Sequence, residues 1–336
     1  MTSKYIEIHR DPQGPGDKRP TAAQIIDDQE IRNKWSDKTI LITGCSSGLG
    51  TEIAQALATT GAALYLTVRD LDSGKAALAG LTSAYPGRIH LLQLDLSSLE
   101  SVRACANSFL AQGVLLHVLI CNAGVLNTPE GKTVDGFETQ LGVNHLAHFL
   151  LFNLLAPKLL ESAKSQPTFD SRVIFVSSMA HRFGSVNFDN INLTGEYDPG
   201  KAYFQSKTAN IWTANEIERR FGAKGLHAWS VHPGGSNTGL HRHMSKERQE
   251  QLNKDPNLFK TFKSPDQAAA TTVWAACASA LEGQGGKYLE DCQIIGKWNT
   301  AEGLWAQGHG PHAYDEASEA RLWVLSEQMV GLDHSG

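Results

Sequence analysis

Six short apolar runs, separated by longer stretches of helical spacing, constrain the fold of this chain more than any other feature of its sequence. The runs are continuously apolar rather than alternating, which is typical of strands that are covered on both faces of a sheet. They are KTILIT (38–43), ALYLTV (63–68), IHLLQL (89–94), LHVLIC (116–121), RVIFVS (172–177) and HAWSVH (227–232). The segments between them, including 49–60, 99–112, 136–160 and 202–221, have helix-forming composition. This alternation predicts an α/β fold, with a single doubly wound parallel sheet of about seven strands and helices on both faces.

The regular alternation begins at Lys38 and leaves an extension at each end of the chain. Residues 1–36 are polar and contain three prolines, so we expect an extended leader with one short helix near residues 22–34. No segment rich in proline or serine divides the remainder. We therefore predict one catalytic domain over residues 37–295 and a C-terminal extension, residues 296–336, packed on the same domain.

Two long segments interrupt the alternation. Residues 179–200 are rich in Asn, Asp and Gly and are predicted to form a loop. Residues 236–264 are the most charged part of the chain, and we expect them to fold over a cleft as a substrate loop. Long loops in α/β proteins usually carry function, although a surface insertion without a role stays open for each.

The composition bounds the class of protein. The chain has 336 residues, of which 41% are hydrophobic and 19% charged, so it can bury a sizeable core and wholesale disorder is excluded. The net charge of −5 argues against nucleic acid or an anionic membrane surface as the main partner. The most apolar stretch, residues 146–160, is interrupted by His148, Asn153 and Pro157 and is too short to span a bilayer, so no membrane span is expected.

The first ten residues and the cysteines indicate a compartment. The start of the chain, MTSKYIEIHR, lacks the apolar run of a secretory signal. The five cysteines form no C-x-x-C pair and are odd in number, which indicates free, mostly buried thiols. We therefore expect a protein of a reducing compartment, the cytoplasm.

The first predicted strand ends in a glycine-rich loop, TGCSSGLG (43–50), that leads into a helix. Gly44 permits the tight turn, Gly48 lets the backbone approach a pyrophosphate, and Gly50 lets the helix pack on the strand. The N-terminus of the helix would offer free N–H groups to the phosphates, which predicts a Rossmann-type dinucleotide site. The expected contacts are Gly44, Ser46, Ser47, Gly48, Leu49 and Gly50.

The same loop also has the pattern Gly44-x-Ser46-x-Gly48, which is the spacing of a hydrolase nucleophile elbow. An elbow serine takes its oxyanion donors from a loop that follows an earlier strand. Here no predicted strand precedes the loop, so we favour the dinucleotide site.

The residues after the second strand bear on the choice of dinucleotide. A carboxylate at the end of this strand usually binds the ribose 2′-hydroxyl of NAD, whereas an arginine suits the 2′-phosphate of NADP. The chain has Val68 at that position, followed directly by Arg69 and Asp70. We therefore favour NADP(H) over NAD(H), the alternative being that Arg69 is a solvated loop cation.

Small and polar residues follow the third and fourth strands. Asp95 and Leu96 end the third, and Asn122, Ala123 and Gly124 end the fourth. Ligands of open α/β sheets bind beyond the carboxyl ends of the strands, where small residues let a flat ring lie close. We count all five as cofactor contacts, although each motif alone also suits a turn or a cap.

A tyrosine and a lysine lie one helical turn apart after the fifth predicted strand. Tyr203 and Lys207 share a helix face, and the preceding strand ends in Ser177 and Ser178. An ammonium close to a phenol lowers the pKa of the phenol towards neutrality, which makes it a usable proton donor or acceptor. A nearby serine hydroxyl can polarise a carbonyl. Only one of the two serines can face the cleft, because adjacent strand residues point to opposite sides.

Taken together and in this order, the motifs resemble those of the short-chain dehydrogenase/reductase family over roughly residues 38–290. The closest likeness is to its retinol dehydrogenase-like and WW-domain oxidoreductase-like subgroup, which shares the Val-Ser-Ser-x-Ala-His stretch (176–181) and a long gap between serine and tyrosine. The resemblance rests on the glycine loop, CNAG (121–124), Asn144 in VNHLAHF, VSS (176–178), YFQSK (203–207) and HPGGSNT (232–238).

The resemblance implies a role for each matched residue. Tyr203 would be the general acid in ketone reduction and the base in alcohol oxidation, and Lys207 would lower its pKa and hold the nicotinamide ribose. Ser178 would orient the substrate carbonyl, and Asn144 would hold a water that links Lys207 to solvent. The residues matched to the nicotinamide end are Pro233, Gly234, Ser236 and Thr238.

The function expected is that of an NADP-dependent oxidoreductase, a ketoreductase or alcohol dehydrogenase, acting on a moderately large apolar small molecule. No metal is expected, because no Cys or carboxylate pattern completes a site around His232, His241 and His243. A non-catalytic NADP-binding regulator and an epimerase or dehydratase relative remain as alternatives, and homo-oligomer formation stays open.

Overall fold

The computed structural model of the protein describes residues 4–166, 169–243 and 255–332. Within these residues one sheet has eight strands in the order β3-β2-β1-β4-β5-β6-β7-β8. Every pairing is parallel except that of β7 with β8. The strands are β1 (Thr39–Ile42), β2 (Ala63–Val68), β3 (Ile89–Gln93), β4 (Val118–Cys121), β5 (Ser171–Val176), β6 (Leu226–His232), β7 (Lys287–Glu290) and β8 (Gln293–Ile294).

The predicted doubly wound parallel sheet is confirmed, with one strand more than expected. The six strands predicted from apolar runs all form, whereas β7 and β8 gave no comparable signal. β7 has four residues and begins at the exposed Lys287, and β8 has only two residues. Such short strands carry too few apolar residues to stand out in a sequence.

The chain changes direction across the sheet at β1. Ile40 of β1 pairs with Leu64 of β2 on one side and with Val118 of β4 on the other. The connections that leave β1 and β4 therefore diverge and open a crevice at the carboxyl ends of these strands. In open α/β sheets this is where ligands bind.

Helices cover both faces of the sheet. One face is packed against α2, α3 and α11, and the other against α6, α8, α9 and α12. The helices are α1 (Ile6–His9), α2 (Ala22–Asp28), α3 (Leu49–Ala58), α4 (Leu71–Ala77), α5 (Ala79–Ala84), α6 (Leu99–Leu110), α7 (Thr139–Leu141), α8 (Ala147–Ser165), α9 (Pro199–Phe221), α10 (Pro256–Thr261), α11 (Pro265–Cys277) and α12 (Glu316–Met329).

The single helix predicted over residues 136–160 is divided in the structure. The short α7 leads into a π-helical turn, Gly142–Leu146, and α8 then continues to Ser165. In the π turn the N–H of Ala147 donates to the carbonyl of Gly142 instead of following the α-helical pattern. Apolar periodicity does not register one inserted residue, so the sequence predicted one continuous helix.

The N-terminal extension contains the short helix predicted near residues 22–34, which forms as α2, but it is less extended than its prolines suggested, because α1 precedes it. Thr21 caps α2 by accepting a hydrogen bond from the N–H of Gln24. Ile25 and Ile26 of α2 are fully buried where the helix packs on α3 and α11. Apolar burial therefore ties this extension to the core of the protein.

All five cysteines are buried thiols that form no disulfide, as predicted. Across the described ranges, no helix is both long enough and apolar enough to cross a membrane.

Candidate active site

A cleft of about 1140 Å³ opens at the carboxyl ends of the strands. It brings together predicted site residues from five separate stretches of the sequence. These are Gly44, Ser46, Ser47, Gly48, Leu49, Asn122, Ala123, Gly124, Ser178, Tyr203, Lys207, Pro233, Gly234, Ser236 and Thr238.

Five predicted site residues do not line this cleft. Gly50 and Asn144 lie directly behind its wall. Arg69 is exposed just after β2. Asp95 lies beyond β3, where its Oδ1 accepts hydrogen bonds from the N–H and the hydroxyl of Ser97, and Leu96 beside it is buried.

The glycine loop is shaped by close backbone contacts. Gly44 has φ +74°, and a Cβ placed on it would lie 2.7 Å from the Cβ of Ala123. A Cβ on Gly50 would lie 2.1 Å from the carbonyl oxygen of Gly44. Gly48, at φ +65°, occupies the N-cap position of α3. Only glycine fits these positions, so the N-terminus of α3 stays open to the cleft.

Thr43 joins the glycine loop to the loop after β4. Its Oγ1 accepts hydrogen bonds from the N–H groups of Asn122 and Ala123, both at 3.0 Å. The side-chain amide of Asn122 donates back to the carbonyl of Thr43 at 2.9 Å. The two loops that form the floor of the cleft are thereby held in one arrangement.

His148 of α8 extends this network towards Asn144. Its Nε2 lies 2.9 Å from Thr43 Oγ1, and its Nδ1 lies 3.0 Å from the carbonyl oxygen of Asn144. Because Thr43 Oγ1 already accepts two N–H groups, its own hydrogen is available to Nε2, and the His148 proton then resides on Nδ1. Burial lowers the pKa of His148 to about 4, so the ring is neutral.

Asn144 lies in the π turn with its side chain fully engaged. Its amide donates to the carbonyl of Val125 and to Ser206 Oγ, each at 3.0 Å, and its Oδ1 accepts from the N–H of Val125 at 2.8 Å. The backbone carbonyl of Asn144 is bound by Nδ1 of His148. A second lone pair on this oxygen would accept the predicted relay water, which stays a prediction.

The helix α9 brings Tyr203 and Lys207 into the cleft. It begins at Pro199, three residues before the predicted start, because Asp198 caps it by accepting from the N–H of Lys201 at 2.7 Å. The Lys207 Nζ lies 5.5 Å from the centroid of the Tyr203 ring and donates to the carbonyl of Val176 at 3.0 Å.

The two serines after β5 point in different directions, as the sequence required. Ser177 is buried and donates its hydroxyl to the carbonyl of Lys207 at 2.8 Å. Both serines border the cleft, but only the hydroxyl of Ser178 reaches Tyr203, and its Oγ also accepts from the N–H of Ala180. The structure therefore places Ser178, and not Ser177, beside Tyr203.

The pKa values of Tyr203 and Lys207 are governed by burial. Burial raises the pKa of Tyr203 to about 12, with the hydroxyl of Ser178 opposing the shift. Burial also lowers the pKa of Lys207 to about 8. The prediction that Lys207 brings the phenol pKa towards neutrality is therefore wrong for this structure, because removal from water disfavours both charged forms and the ammonium binds a carbonyl instead.

Sequence reasoning did not single out a further set of residues that line the same cleft. They come from the N-terminal extension, from the end of the predicted substrate loop (236–264), from the end of β7 and the turn after it, and from the C-terminal extension, and they carry none of the matched family motifs. The only local signal was the Ser-Pro-x-Gln capping box that starts α11 at residue 264. The polar and aromatic members are His9, Arg10, Arg19, Phe262, Lys263, Glu290, Asp291, Trp305 and Gln307.

Part of the predicted substrate loop lies outside the described residues, namely 244–254. The side chains of His241 and His243 also lie outside them. In the part of the chain that is described, no group of three or more His, Cys, Asp or Glu side chains is arranged to hold a metal ion.

Comparisons with known proteins agree with the fold and the motifs. The sequence model of the family described as short chain dehydrogenase matches residues 38–249. The short-chain dehydrogenase/reductase prx1 of Penicillium roqueforti is 50% identical over 329 residues, covering 98% of this chain and 95% of the relative. Human retinol dehydrogenase 11 is 39% identical over 297 residues, covering 88% of this chain and 86% of the relative.

A solved structure shares most of the architecture. The crystal structure of an uncharacterized protein from Mycobacterium paratuberculosis is 33% identical and superposes with a TM-score of 0.69, covering 95% of this chain and 100% of that chain. The chain therefore belongs to the short-chain dehydrogenase/reductase family, in its retinol dehydrogenase-like subgroup, and is an oxidoreductase that acts on CH–OH and C=O groups.

Proposed function

We propose that the protein is an NADP-dependent ketoreductase or alcohol dehydrogenase that uses Tyr203 as its general acid and base. The observation that carries the proposal is the convergence of Tyr203, Lys207 and Ser178 in one cleft with the glycine loop. At about 1140 Å³ the cleft has room for a dinucleotide and a small molecule together. A protein that only binds the dinucleotide would have no use for this set of side chains.

The cleft fits a dinucleotide in its own geometry. The N-terminus of α3 is open, and Ser236 Oγ is buried at the cleft without a hydrogen-bond partner among the described residues. The N–H groups around Ser46, Ser47 and Gly48 would hold the phosphates, and Pro233 to Thr238 would hold the nicotinamide end. When bound, the nicotinamide supplies or accepts the hydride.

Tyr203 would exchange the proton that accompanies the hydride. Its raised pKa keeps the phenol protonated at neutral pH, which is the form that donates to a carbonyl oxygen. Ser178 would hold that oxygen against Tyr203 Oη. Lys207, with its pKa lowered to about 8, is able to release a proton near neutrality and to return it to the phenol.

The lack of a side chain at Gly124 supports the role proposed for Lys207. A Cβ on Gly124 would lie 3.1 Å from Asn144 Oδ1 and 3.5 Å from Lys207 Nζ. The absence of a side chain there leaves the Lys207 ammonium free to reach the ribose hydroxyls of the dinucleotide.

The preference for NADP(H) rests on the two residues after β2. The carboxylate of Asp70 caps α4 by accepting from the N–H of Ser73 at 2.8 Å, and it is therefore engaged away from a ribose. The guanidinium of Arg69 is exposed, and no hydrogen bond or ion pair holds it among the described residues. An unengaged arginine at this position suits a 2′-phosphate. Asp95 and Leu96, beyond β3, stay proposed contacts of the adenosine end.

The substrate would be a moderately large apolar ketone or alcohol. Besides the predicted site residues, apolar side chains that line the cleft include Leu126, Met179, Phe204, Leu240 and Trp305. Buried cysteines that form no disulfide suit a reducing compartment, so we keep the cytoplasm as the proposed location. We also keep the proposed division into an extension over 1–36, a catalytic domain over 37–295 and a packed extension over 296–336.

The test is a panel of ketones, aldehydes and alcohols assayed by nicotinamide absorbance, with NADPH or NADP⁺ and separately with NADH or NAD⁺. We expect turnover of a bicyclic apolar ketone such as α-tetralone with NADPH. Tight NADPH binding with no turnover across the panel would favour the regulatory alternative. Conversion of a substrate without net change in nicotinamide absorbance would favour the epimerase or dehydratase alternative.

A further inference from the structure

The carboxylate of Asp291 is approached by side chains from three separate parts of the chain. It lies in the tight turn between β7 and β8, at the carboxyl end of the sheet. Its Oδ1 accepts from Lys263 Nζ at 2.5 Å and its Oδ2 from Gln307 Nε2 at 2.5 Å. The Nε2 of His9 lies 3.7 Å from Oδ1. Asp291 and these three partners all line the cleft.

Each partner belongs to a different peripheral segment. We call residues 6–19 the N-terminal segment, residues 258–267 the return segment, and residues 302–309 the C-terminal loop. None of the three carries one of the matched family motifs, although the return segment overlaps the end of the predicted substrate loop (236–264). Each contributes its own share of the cleft wall, through Arg19, Phe262 and Trp305 respectively.

The N-terminal segment is fastened to the return segment along its length. The buried guanidinium of Arg19 donates to the carbonyls of Thr261 and Phe262, at 2.8 and 2.5 Å. The N–H of Gly14 donates to the carbonyl of Lys260 at 3.0 Å. These two segments therefore form one unit at the edge of the cleft.

The C-terminal loop is fastened separately, to the turn that follows Ser178. The buried Arg182 donates to the carbonyls of Ala306 and Gly308, both at 2.7 Å. Arg182 also pairs with Glu290, the neighbour of Asp291. Asp291 is thus the point at which this loop meets the unit formed by the other two segments.

The backbone of Asp291 is held in the left-handed region. Asp291 and Cys292 have φ 54° and 55°, and the N–H of Cys292 donates to Thr271 Oγ1 of α11 at 3.2 Å. Aspartate and asparagine tolerate this conformation better than most residues. An asparagine at position 291 therefore removes the charge while it keeps the turn.

The charge of Asp291 is well compensated although the side chain is only 15% exposed. Burial opposes ionisation, but the charge of Lys263 and the hydrogen bonds from Lys263 and Gln307 hold the pKa of Asp291 well below its usual range. The carboxylate is therefore ionised at neutral pH. Lys263 Nζ also donates to the carbonyl of Pro233 at 3.2 Å. This bond connects Asp291 and its partners to residues 233–238, which are proposed to hold the nicotinamide.

We propose that Asp291 is a positioning residue that holds the N-terminal segment, the return segment and the C-terminal loop together. The part of the cleft wall that these three segments form is called the substrate end. The proposal deepens the proposed function and rests on it, since a substrate end has meaning only if the cleft turns over a carbonyl or an alcohol. Substrate specificity then depends on a carboxylate that need not touch the substrate.

The first experiment measures hydrogen exchange and does not depend on activity. Asp291→Asn in the full chain is expected to speed exchange about tenfold in all three segments, with β1 and β4 unchanged. Asp170→Asn is the matched control, because Asp170 also joins loops, accepting from the N–H of Gly283 at 3.2 Å, but lies just before β5 at the other end of the sheet. Unchanged exchange in Asp291→Asn would overturn the proposal.

The second experiment measures kinetics with α-tetralone and with cyclohexanone, a smaller ketone. Asp291→Asn is expected to raise KM for α-tetralone about tenfold, with kcat and the Kd for NADPH within about threefold of the wild type. The effect on cyclohexanone is expected to be smaller, because a small ring makes fewer contacts with the wall. An equal loss of kcat for both ketones with unchanged KM would overturn the positioning role.

A third variant guards against a general folding defect. Gln307→Ala removes one partner of Asp291 and is expected to speed exchange in the C-terminal loop alone. Faster exchange across the whole protein would contradict the proposed arrangement. If the wild type turned over no compound of the panel, the proposed function would fail, whereas the exchange result would still decide whether Asp291 joins the three segments.

Discussion

Lys207 and Asp291 both line the cleft with little exposure to water, yet their surroundings are opposite in kind. Lys207 is buried and donates to one carbonyl, that of Val176, and it has no carboxylate partner within the described residues. The Asp291 carboxylate accepts hydrogen bonds from Lys263 and Gln307, and the His9 ring lies nearby. Accordingly burial lowers the pKa of Lys207 to about 8, while the pKa of Asp291 is held well below its usual range.

The difference separates two tasks within one cleft. A group that must exchange a proton near neutral pH needs a charge that is easily lost, and poor compensation provides this. A group that holds segments together needs a charge that persists, and several partners provide that. Lys207 in the motif-bearing half of the cleft therefore carries a charge that is easily lost, whereas Asp291 in the other half carries one that persists.

The largest expected effect is on Tyr203, which lies beside Lys207 in the cleft. Tyr203→Phe removes the proton donor and is expected to lower kcat by roughly 10²- to 10⁴-fold with α-tetralone, with the Kd for NADPH within about twofold of the wild type. Steady-state kinetics and NADPH fluorescence titration measure the two quantities. Tyr85→Phe, at a half-buried tyrosine that does not line the cleft, is the control and should change neither. Near-normal kcat in Tyr203→Phe would mean that another group supplies the proton.

The next effect concerns the cofactor. Arg69→Ala is expected to raise the Kd for NADPH about 10- to 100-fold, because the 2′-phosphate loses a charge-assisted hydrogen bond, and to leave the Kd for NADH within about twofold. Titration of both nucleotides measures the ratio. Arg88→Ala removes a half-buried arginine that donates to the carbonyl of Ser36 and does not line the cleft, and it should not alter the ratio. A wild type that prefers NADH would refute the role given to Arg69.

The contrast between the charges of Lys207 and Asp291 is tested by the free energy of unfolding of two variants. Lys207→Met is expected to raise the free energy of unfolding by about 1–3 kcal/mol at pH 7, because it removes a poorly compensated buried charge. The Val176 carbonyl keeps a donor in Asn210 Nδ2 at 3.2 Å. Asp291→Asn is expected to lower the same free energy by about 1–3 kcal/mol, because it removes a well-paired charge.

The pH dependence of these two effects has opposite direction. The folded pKa of Lys207 is below its unfolded value, so its penalty is full below about pH 8 and fades as the pH rises towards the unfolded value. The folded pKa of Asp291 is depressed, so its contribution is present above the unfolded value of about 4 and is lost as the pH falls below it. Denaturant unfolding of both variants at several pH values measures this. A lower free energy of unfolding for Lys207→Met at pH 7 would show that the Lys207 charge is not poorly compensated, and would contradict the contrast with Asp291.

The smallest expected effect is on His148. His148→Asn keeps an amide able to reach the Asn144 carbonyl, as Asn153 Nδ2 reaches the carbonyl of Phe149 at 2.9 Å in the same helix. His148→Phe removes this donor and is expected to lower kcat about tenfold, while His148→Asn recovers most of it. Steady-state kinetics of both variants measures the difference.

The neighbouring histidine of the π turn provides the control. His145 is equally buried, but its Nε2 lies 2.9 Å from Ser326 Oγ of α12, away from the cleft. His145→Asn should lower thermal stability and leave kcat within about twofold of the wild type. Equal losses of kcat at both positions would show that His148 acts only through general stability.

The sequence predicted the half of the cleft that is built from local patterns. Apolar runs placed β1 to β6, and the glycines at 44, 48 and 50 were recognised from the turns and close contacts that they permit. Tyr203 and Lys207 were placed on one helix face from their spacing alone. These features depend on residues that are close in the chain, so that a single sequence carries them.

The other half could not be predicted because its contacts join distant residues. His9, Lys263 and Gln307 meet at Asp291 only after the sheet and both extensions have folded. The pKa of Tyr203 was predicted in the wrong direction for a related reason, since burial of the phenol is a property of the packed cleft and not of the Tyr-x-x-x-Lys spacing. The π turn at 142–146 likewise leaves the apolar pattern unchanged.

The most direct test of the proposed reaction is an isotope transfer. NADPH carrying deuterium on both faces of C4 of the nicotinamide is incubated with the wild-type protein and α-tetralone, and the product is analysed by mass spectrometry. The proposed function predicts an alcohol that carries one deuterium on the carbinol carbon, together with an equal amount of NADP⁺. Unlabelled product, or NADPH that is bound but not oxidised, would contradict the assignment of this cleft to hydride transfer.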